Sequence, residues 1–192
     1  MQKFPEWLNA TLASDASEGE GVLPNNILPL QANSLIVGPA AVALMSQDEN
    51  LSVNKVLQNL PAPGTVLVFA GGSASSRATL GGLMALEMQN GGIAGLVTDG
   101  LVRDSREIRE MGFAVWCRGV TPIAPKKNGP AVIGGMVSIG GKIIRDGDLV
   151  IADDDGVVIW PQERIAELMA KAEARLKSDN ERLARLLAQR GK

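Results

Sequence analysis

Short β-branched runs alternate with helix-patterned segments through the middle of the chain, and glycines mark nearly every junction between them. A chain written this way folds as an α/β domain in which strands and helices are joined by tight connections. The pattern predicts strands over residues 34–37 and 41–44, interrupted by Gly38-Pro39, and then over 65–70, 93–98 and 114–118. Helices are expected between them, over 54–60, over 80–89 where Gly91-Gly92 ends the element, and over 104–111, whose acidic first turn suits the helix dipole. From Pro130 onward short β segments (131–133, 142–144, 148–152 and 157–160) are separated by GG, DGD and DDDG turns, which reads as a meander.

At 192 residues and 45% hydrophobic content the chain has enough apolar material for one sizeable core and too little for two. The last segment, 162–190, carries Ile165, Leu168, Met169, Ala172, Leu176, Leu183, Leu186 and Leu187 on one helical face. So small a domain does not cover a helix of that length, so part of this face is expected to pack on another subunit; a solvated end after Ser178 is the plainer alternative. The expected division is an α/β domain over 1–165 and an oligomer-packing helix over 166–192.

Net charge is −2 with both signs mixed along the chain, so no basic stripe is present to bind nucleic acid. The apolar runs 34–45 and 66–70 fall well short of a membrane span, and the N-terminus has no continuous apolar signal core. With Cys117 as the single cysteine no internal disulfide can form, and a reducing cytoplasm is the expected compartment.

Histidine is absent altogether, which excludes Ser-His-Asp, Cys-His and His-zinc chemistry. Asp, Glu, Arg, Lys, backbone amides or an oxygen-held hard cation remain. Three segments attract attention. Gly71 to Arg77, with Gly81-Gly82-Leu83-Met84, follows an apolar strand and leads toward a helix, a place where free amides meet an anion, although neither a Walker loop nor a dinucleotide fingerprint is present. Asp99 to Asp104 lies at the carboxyl end of the strand IAGLVT, where open α/β sheets place ligands; Arg103 suits a carboxylate and Asp104 a hard cation, the bland reading being a surface ion pair with Asp104 as helix N-cap. Asp153-Asp154-Asp155-Gly156 has the look of a cation site but reads first as a hairpin turn. Lys126 and Lys127 read as solvated, with the rim of an anionic pocket as the alternative, and Cys117 as a buried strand residue.

Taken in order, the GxAVxL run, LGGLMALEMQNGGIAGLVTDGLVRDSREI, RGVTP and GDLVIADDDGVVIWP resemble the RraA-like family over roughly residues 10–165. The family includes class II aldolases that cleave 4-hydroxy-4-methyl-2-oxoglutarate or 4-carboxy-4-hydroxy-2-oxoadipate, as well as regulators of ribonuclease activity. The resemblance implies a single β/β/α swivelling-type domain with a long C-terminal helix, assembled as a homotrimer or homohexamer with its site near a subunit boundary. It implies that the pyruvoyl group is held at Gly81, Gly82, Leu83 and Met84, that Arg103 is catalytic and binds substrate, and that Asp104 binds a divalent cation, Mg²⁺ or Mn²⁺. A lyase releasing pyruvate, with oxaloacetate decarboxylation as a side activity, is the leading expectation; a regulator of ribonuclease E and an inactive oxo-acid-binding protein are the alternatives. One departure stands out: many aldolases of this group carry at the position of Gly82 an aspartate that contacts the metal through water. Loss of that contact weakens the cation site, alters the substrate, or is compensated by Asp99 or by an acidic residue of a neighbouring subunit.

Overall fold

In the computed structural model the described residues are 4–127, 130 and 132–190. The chain opens with α1 (Ala10–Ala16), capped by Asn9, whose Oδ1 accepts the Leu12 amide at 2.8 Å. There follow β1 (Leu28–Pro29), β2 (Ile36–Leu44), α2 (Leu51–Gln58), β3 (Val66–Ala70), β4 (Ala78–Leu80), α3 (Gly82–Asn90) and β5 (Gly95–Thr98). Next come β6 (Leu101–Val102), α4 (Ser105–Met111), β7 (Val115–Cys117) and β8 (Gly119–Val120). The last third contains β9 (Val132–Ile133), β10 (Met136–Ile139), β11 (Lys142–Arg145), β12 (Leu149–Asp153), β13 (Gly156–Trp160), a 3-10 turn (Gln162–Arg164) and α5 (Ile165–Arg190).

The main sheet runs in the order β1-β7-β5-β3-β2-β12-β13, with β9 added to β2. Strands β2, β3, β5 and β7 are parallel, while β12, β13, β1 and β9 join antiparallel. Strand β3 is buried throughout, and its alternate residues feed two cores. Val66, Val68 and Ala70 pack with Trp116, Val150 and Ile144 on one face, whereas Leu67 and Phe69 pack with Val53, Met88 and Ile108 of α2, α3 and α4 on the other. A third core joins α1 and the first half of α5 to β12 and β13 through Ala13, Leu149, Trp160, Leu168 and Ala172. The α/β class and the long C-terminal helix are therefore as expected.

Several boundaries differ from the sequence reading, each for a local reason. Gly38-Pro39 does not divide β2. The Ala40 amide donates to Asp148 O, so the Pro39 nitrogen faces the opposite edge, ahead of the first rung with β3 at Ala40↔Val66, and no ladder bond is lost. Leu80 belongs to β4 rather than to a helix, because its carbonyl accepts the Arg103 amide at 3.0 Å and holds β4 beside β6. Helix α2 begins at Leu51, ahead of the expected 54, with the Asn54 amide donating to Asn50 O. The last strands are two hairpins rather than a meander, since β10 and β11 pair only with each other while β12 crosses to β2. Asp146 makes that crossing: its Oδ1 accepts the Val42 amide at 2.8 Å, and Gly147 donates to Ala40 O, so the chain re-enters the main sheet beside β2. Of the expected strand 131–133, residue 131 lies outside the described residues, as do 191 and 192 of the expected helical segment.

Coverage of α5 by its own chain fades along its length. Leu168 and Ala172 are fully buried, Leu176 partly, and Leu183, Leu186 and Leu187 are about half exposed. No helix among the described residues is long and apolar enough to cross a membrane.

Beside the main sheet, β4, β6 and β8 form a small parallel sheet. It brings the ends of β4 and β6 side by side, and from those ends α3 and α4 start.

Candidate functional site

The candidate site is built where two strands deliver two helix starts. After β4, Gly81 forms the N-cap of α3 in extended conformation (φ −136°, ψ −174°). After β6, Arg103 leads to Asp104, whose backbone lies in the left-handed region (φ +55°, ψ +39°) at the N-cap of α4. Aspartate tolerates that conformation better than most residues, and non-glycine residues held there cluster at functional sites. The consequence is a carboxylate turned away from its own helix. Asp104 makes no capping bond to α4; its Oδ2 instead accepts the Gly82 amide of α3 at 3.0 Å. The expected N-cap is thus a cap of the neighbouring helix.

Arg103 Nε lies 3.6 Å from the same oxygen, with the two side chains 40% and 42% exposed. This is an ion pair open to water, from which little stability follows. It does, however, set a cation and an anion at the mouth of α3. Gly81 makes that approach possible: a Cβ there would stand 2.4 Å from Asp104 Oδ2 and 2.9 Å from Arg103 Nε. Gly82 differs, because a Cβ there meets Asp104 Cβ at 3.4 Å and Glu107 Cβ at 3.5 Å, which is ordinary contact. Leu83, in the first turn of α3, is 80% exposed, and Met84 packs inward, with its Sδ 3.6 Å from Asn50 Nδ2. Since the Gly82 amide is engaged by Asp104, the Leu83 and Met84 amides are the first-turn donors left for a ligand.

The glycine loop that follows β3 binds an anion from within. Asp99 accepts the Gly71 amide at 3.2 Å and the Gly72 amide at 2.8 Å, and Gly72 packs so tightly that a Cβ would stand 2.6 Å from Gly100 Cα. The loop passes into β4 rather than straight into a helix. Arg118 secures this turn, donating from Nε to Asp99 O at 3.3 Å and from Nη2 to Ser75 O at 2.7 Å. Sequence reasoning missed both Arg118 and Glu107. The only signal for Glu107 was its place three residues after Asp104, on the same helical face.

Burial pushes the Asp99 carboxyl above its ordinary range, against the lowering effect of the Gly72 and Gly71 amides. An acid with a raised folded pKa holds its proton in the native state where the unfolded chain has lost it, so this group's contribution to stability grows as pH falls through the folded pKa. It becomes constant below the unfolded value of about 3.9. Asp99→Asn should therefore lose this gain, its stability relative to the wild type dropping as pH falls from about 7 to about 4 in urea unfolding. An unchanged slope would show that Asp99 does not carry it.

The other segments are structural. Asp153 to Gly156 closes the β12–β13 hairpin, with Asp153 Oδ2 accepting the Ala10 amide, Asp154 Oδ2 the Asn33 amide and Asp155 Oδ2 the Thr11 hydroxyl. Lys126 and Lys127 are exposed, and the Lys126 backbone bonds to Asp48 and Asn50. Cys117 is buried in β7, and burial raises its thiol pKa, which leaves it an unreactive strand residue. Clefts of about 570 and 300 Å³ lie along α5 by Trp7 and beside Arg164, away from the Arg103–Asp104 pair.

The small parallel sheet places an Arg-Asp pair at the carboxyl ends of its strands, the position at which α/β domains bind ligands. Comparison narrows the class. A family model for RraA-like proteins, described as Aldolase/RraA, matches residues 10–159, and the chain belongs to the RraA-like family. A Halalkalibacterium halodurans protein with the provisional name 4-hydroxy-4-methyl-2-oxoglutarate aldolase is 36% identical, over 90% of this chain and 81% of its own. Among solved structures, Streptomyces coelicolor RraAS2, described as an unusual member of the RNase ES inhibitor RraA family, aligns with a TM-score of 0.78 at 28% identity, covering 93% of each chain. The RNA-processing inhibitor RraA from Thermus thermophilis aligns with a TM-score of 0.73 at 28% identity, over 81% of this chain and 93% of its own.

Proposed function

We propose that this protein is a divalent-cation-dependent lyase that cleaves a 4-hydroxy-2-oxo acid, such as 4-hydroxy-4-methyl-2-oxoglutarate, and releases pyruvate. The observation that carries this reading is the Arg103–Asp104 pair set against the first turn of α3, where Asp104 Oδ2 accepts the Gly82 amide and Arg103 Nε stands 3.6 Å away. The provisional aldolase names of several relatives favour the same reaction class.

The residues fit a cation of the Mg²⁺ or Mn²⁺ kind. Asp104 offers a carboxylate whose Oδ1 is not committed to the Gly82 amide, and among the described residues no cluster of three or more acidic, cysteine or histidine side chains gathers there. A hard cation that keeps most of its waters and takes one or two carboxylates plus substrate oxygens suits such a site; a cage-type site does not. When bound, the cation would polarise the 2-oxo group and stabilise the enolate charge that develops as the C–C bond breaks. Arg103 holds the substrate's carboxylate or the growing oxyanion with the planar fork of its guanidinium. The Leu83 and Met84 amides, backed by the α3 dipole, receive the pyruvoyl carboxylate. Oxaloacetate would be decarboxylated through the same pyruvate enolate. The exposed leucines at the end of α5 suit packing in a homotrimer or homohexamer.

A second reading, a regulator that binds a ribonuclease, rests on the descriptions of the Streptomyces and Thermus relatives. The deciding experiment measures pyruvate release from 4-hydroxy-4-methyl-2-oxoglutarate and from oxaloacetate with Mg²⁺ or Mn²⁺, then with excess chelator. Turnover that chelation abolishes and added cation restores is expected. No turnover with either cation, together with inhibition of a ribonuclease that survives chelation, would favour the regulator instead.

A further inference from the structure

The geometry points to Glu107 as the second carboxylate of the cation site, a positioning residue that holds the waters of the cation carried by Asp104. This rests on the lyase reading above. Gly82 presents no side chain between α3 and α4, and the spot its Cβ would occupy lies 3.4 Å from Asp104 Cβ and 3.5 Å from Glu107 Cβ. Two acidic side chains of α4 therefore border one bare backbone position on α3. Asp104 is the N-cap of α4 and Glu107 stands three residues on, in its first turn.

The competing role for an acidic residue in the first turn is to cap its own helix. Here that role is not taken up. Asp104 makes no capping bond to α4, and among the described residues Glu107 makes no hydrogen bond or ion pair. Its neighbours on the same helix are engaged: Arg106 pairs with Glu110 at 2.8 Å, and Arg109 donates to Leu30 O at 2.9 Å. The other acidic residue near these turns, Asp99, faces the Gly71 and Gly72 amides. Glu107, one methylene longer than aspartate, is placed to reach a water on a cation at Asp104 across the gap that Gly82 leaves. A contact of this kind typically contributes 10–100-fold to metal affinity.

The test is Mn²⁺ binding to the full chain, by calorimetry and by the loss of the free Mn²⁺ paramagnetic resonance signal, for the wild type, Glu107→Gln, Glu110→Gln, Asp104→Asn and the double variant Gly82→Asp/Glu107→Gln. Glutamine keeps the size and helix preference of glutamate, and far-UV circular dichroism checks the fold of each variant. The expected result is loss of binding in Asp104→Asn and a roughly tenfold weaker affinity in Glu107→Gln. Recovery of most of that loss is expected in the double variant, where an aspartate fills the gap. Glu110→Gln, which removes the same charge three residues further along α4, should bind as wild type. Equal affinity of Glu107→Gln and wild type would overturn the inference while leaving the lyase reading in place. Equal weakening by Glu107→Gln and Glu110→Gln would overturn it in favour of a general field effect. Absence of Mn²⁺ binding by the wild type at millimolar concentration would overturn both.

Discussion

Replacing Arg103 with alanine should lower kcat/KM for pyruvate release by about 10²–10³-fold, the loss seen when one donor that stabilises a developing oxyanion is removed. The fold should survive, because the side chain is 40% exposed and its ion pair with Asp104 is spaced at 3.6 Å in water. Asp104→Ala should reduce turnover at least as far, since it removes the carboxylate that would carry the cation together with the acceptor for the Gly82 amide. Losing a cap of this kind costs about 1 kcal/mol, a small fraction of a domain's stability. Thermal unfolding and steady-state kinetics on the same preparations separate the two effects. Turnover within a few-fold of wild type in both variants would remove the Arg-Asp pair from the reaction.

Gly81→Ala is the second substitution expected to have a large effect, and it acts through space. The new methyl carbon would stand 2.4 Å from Asp104 Oδ2 and 2.9 Å from Arg103 Nε, so the charged pair must move away from the start of α3. Displacement of about 1 Å at a reacting centre lowers rates by roughly 10²-fold. Gly82→Ala, one residue further, adds a methyl group at ordinary contact distances of 3.4 and 3.5 Å and should lose only a few-fold. The contrast between neighbouring glycines is the informative result, because the same methyl group is added at each and only at Gly81 does it meet the charged pair. Equal activity of the two variants would mean that the pair is not held in a catalytically required place.

Much of this site was legible in the residues themselves. The Arg103-Asp104 dipeptide after an apolar strand, the glycines before an amphipathic segment and the lack of histidine depend only on local sequence, and each pointed to oxygen-based chemistry at a strand end. Misreadings came where a residue answers to a distant partner. Leu80 carries helix-like neighbours, yet its carbonyl pairs with Arg103, and that bond makes it a strand residue. Pro39 reads as a break, yet its missing N–H points where no ladder bond is made. The 71–77 loop reads equally as an anion-binding turn and as glycines needed only for turns, and its Gly71 and Gly72 amides are taken by Asp99 from 28 and 27 residues away.

Sequence by itself determined the α/β class, the long amphipathic C-terminal helix, the hairpin at Asp153–Gly156 and the exclusion of imidazole chemistry, because period, turn chemistry and residue type are properties of neighbours along the chain. Only the tertiary structure decided which amides remain free, that Asp104 caps α3 rather than α4, that a side chain at Gly81 would displace the charged pair while one at Gly82 would not, and that Glu107 borders the same gap. The physical reason is register. The parallel pairing of β4 with β6 sets the starts of α3 and α4 side by side, so residues about 20 apart in sequence become neighbours whose hydrogen bonds and contacts no local pattern encodes.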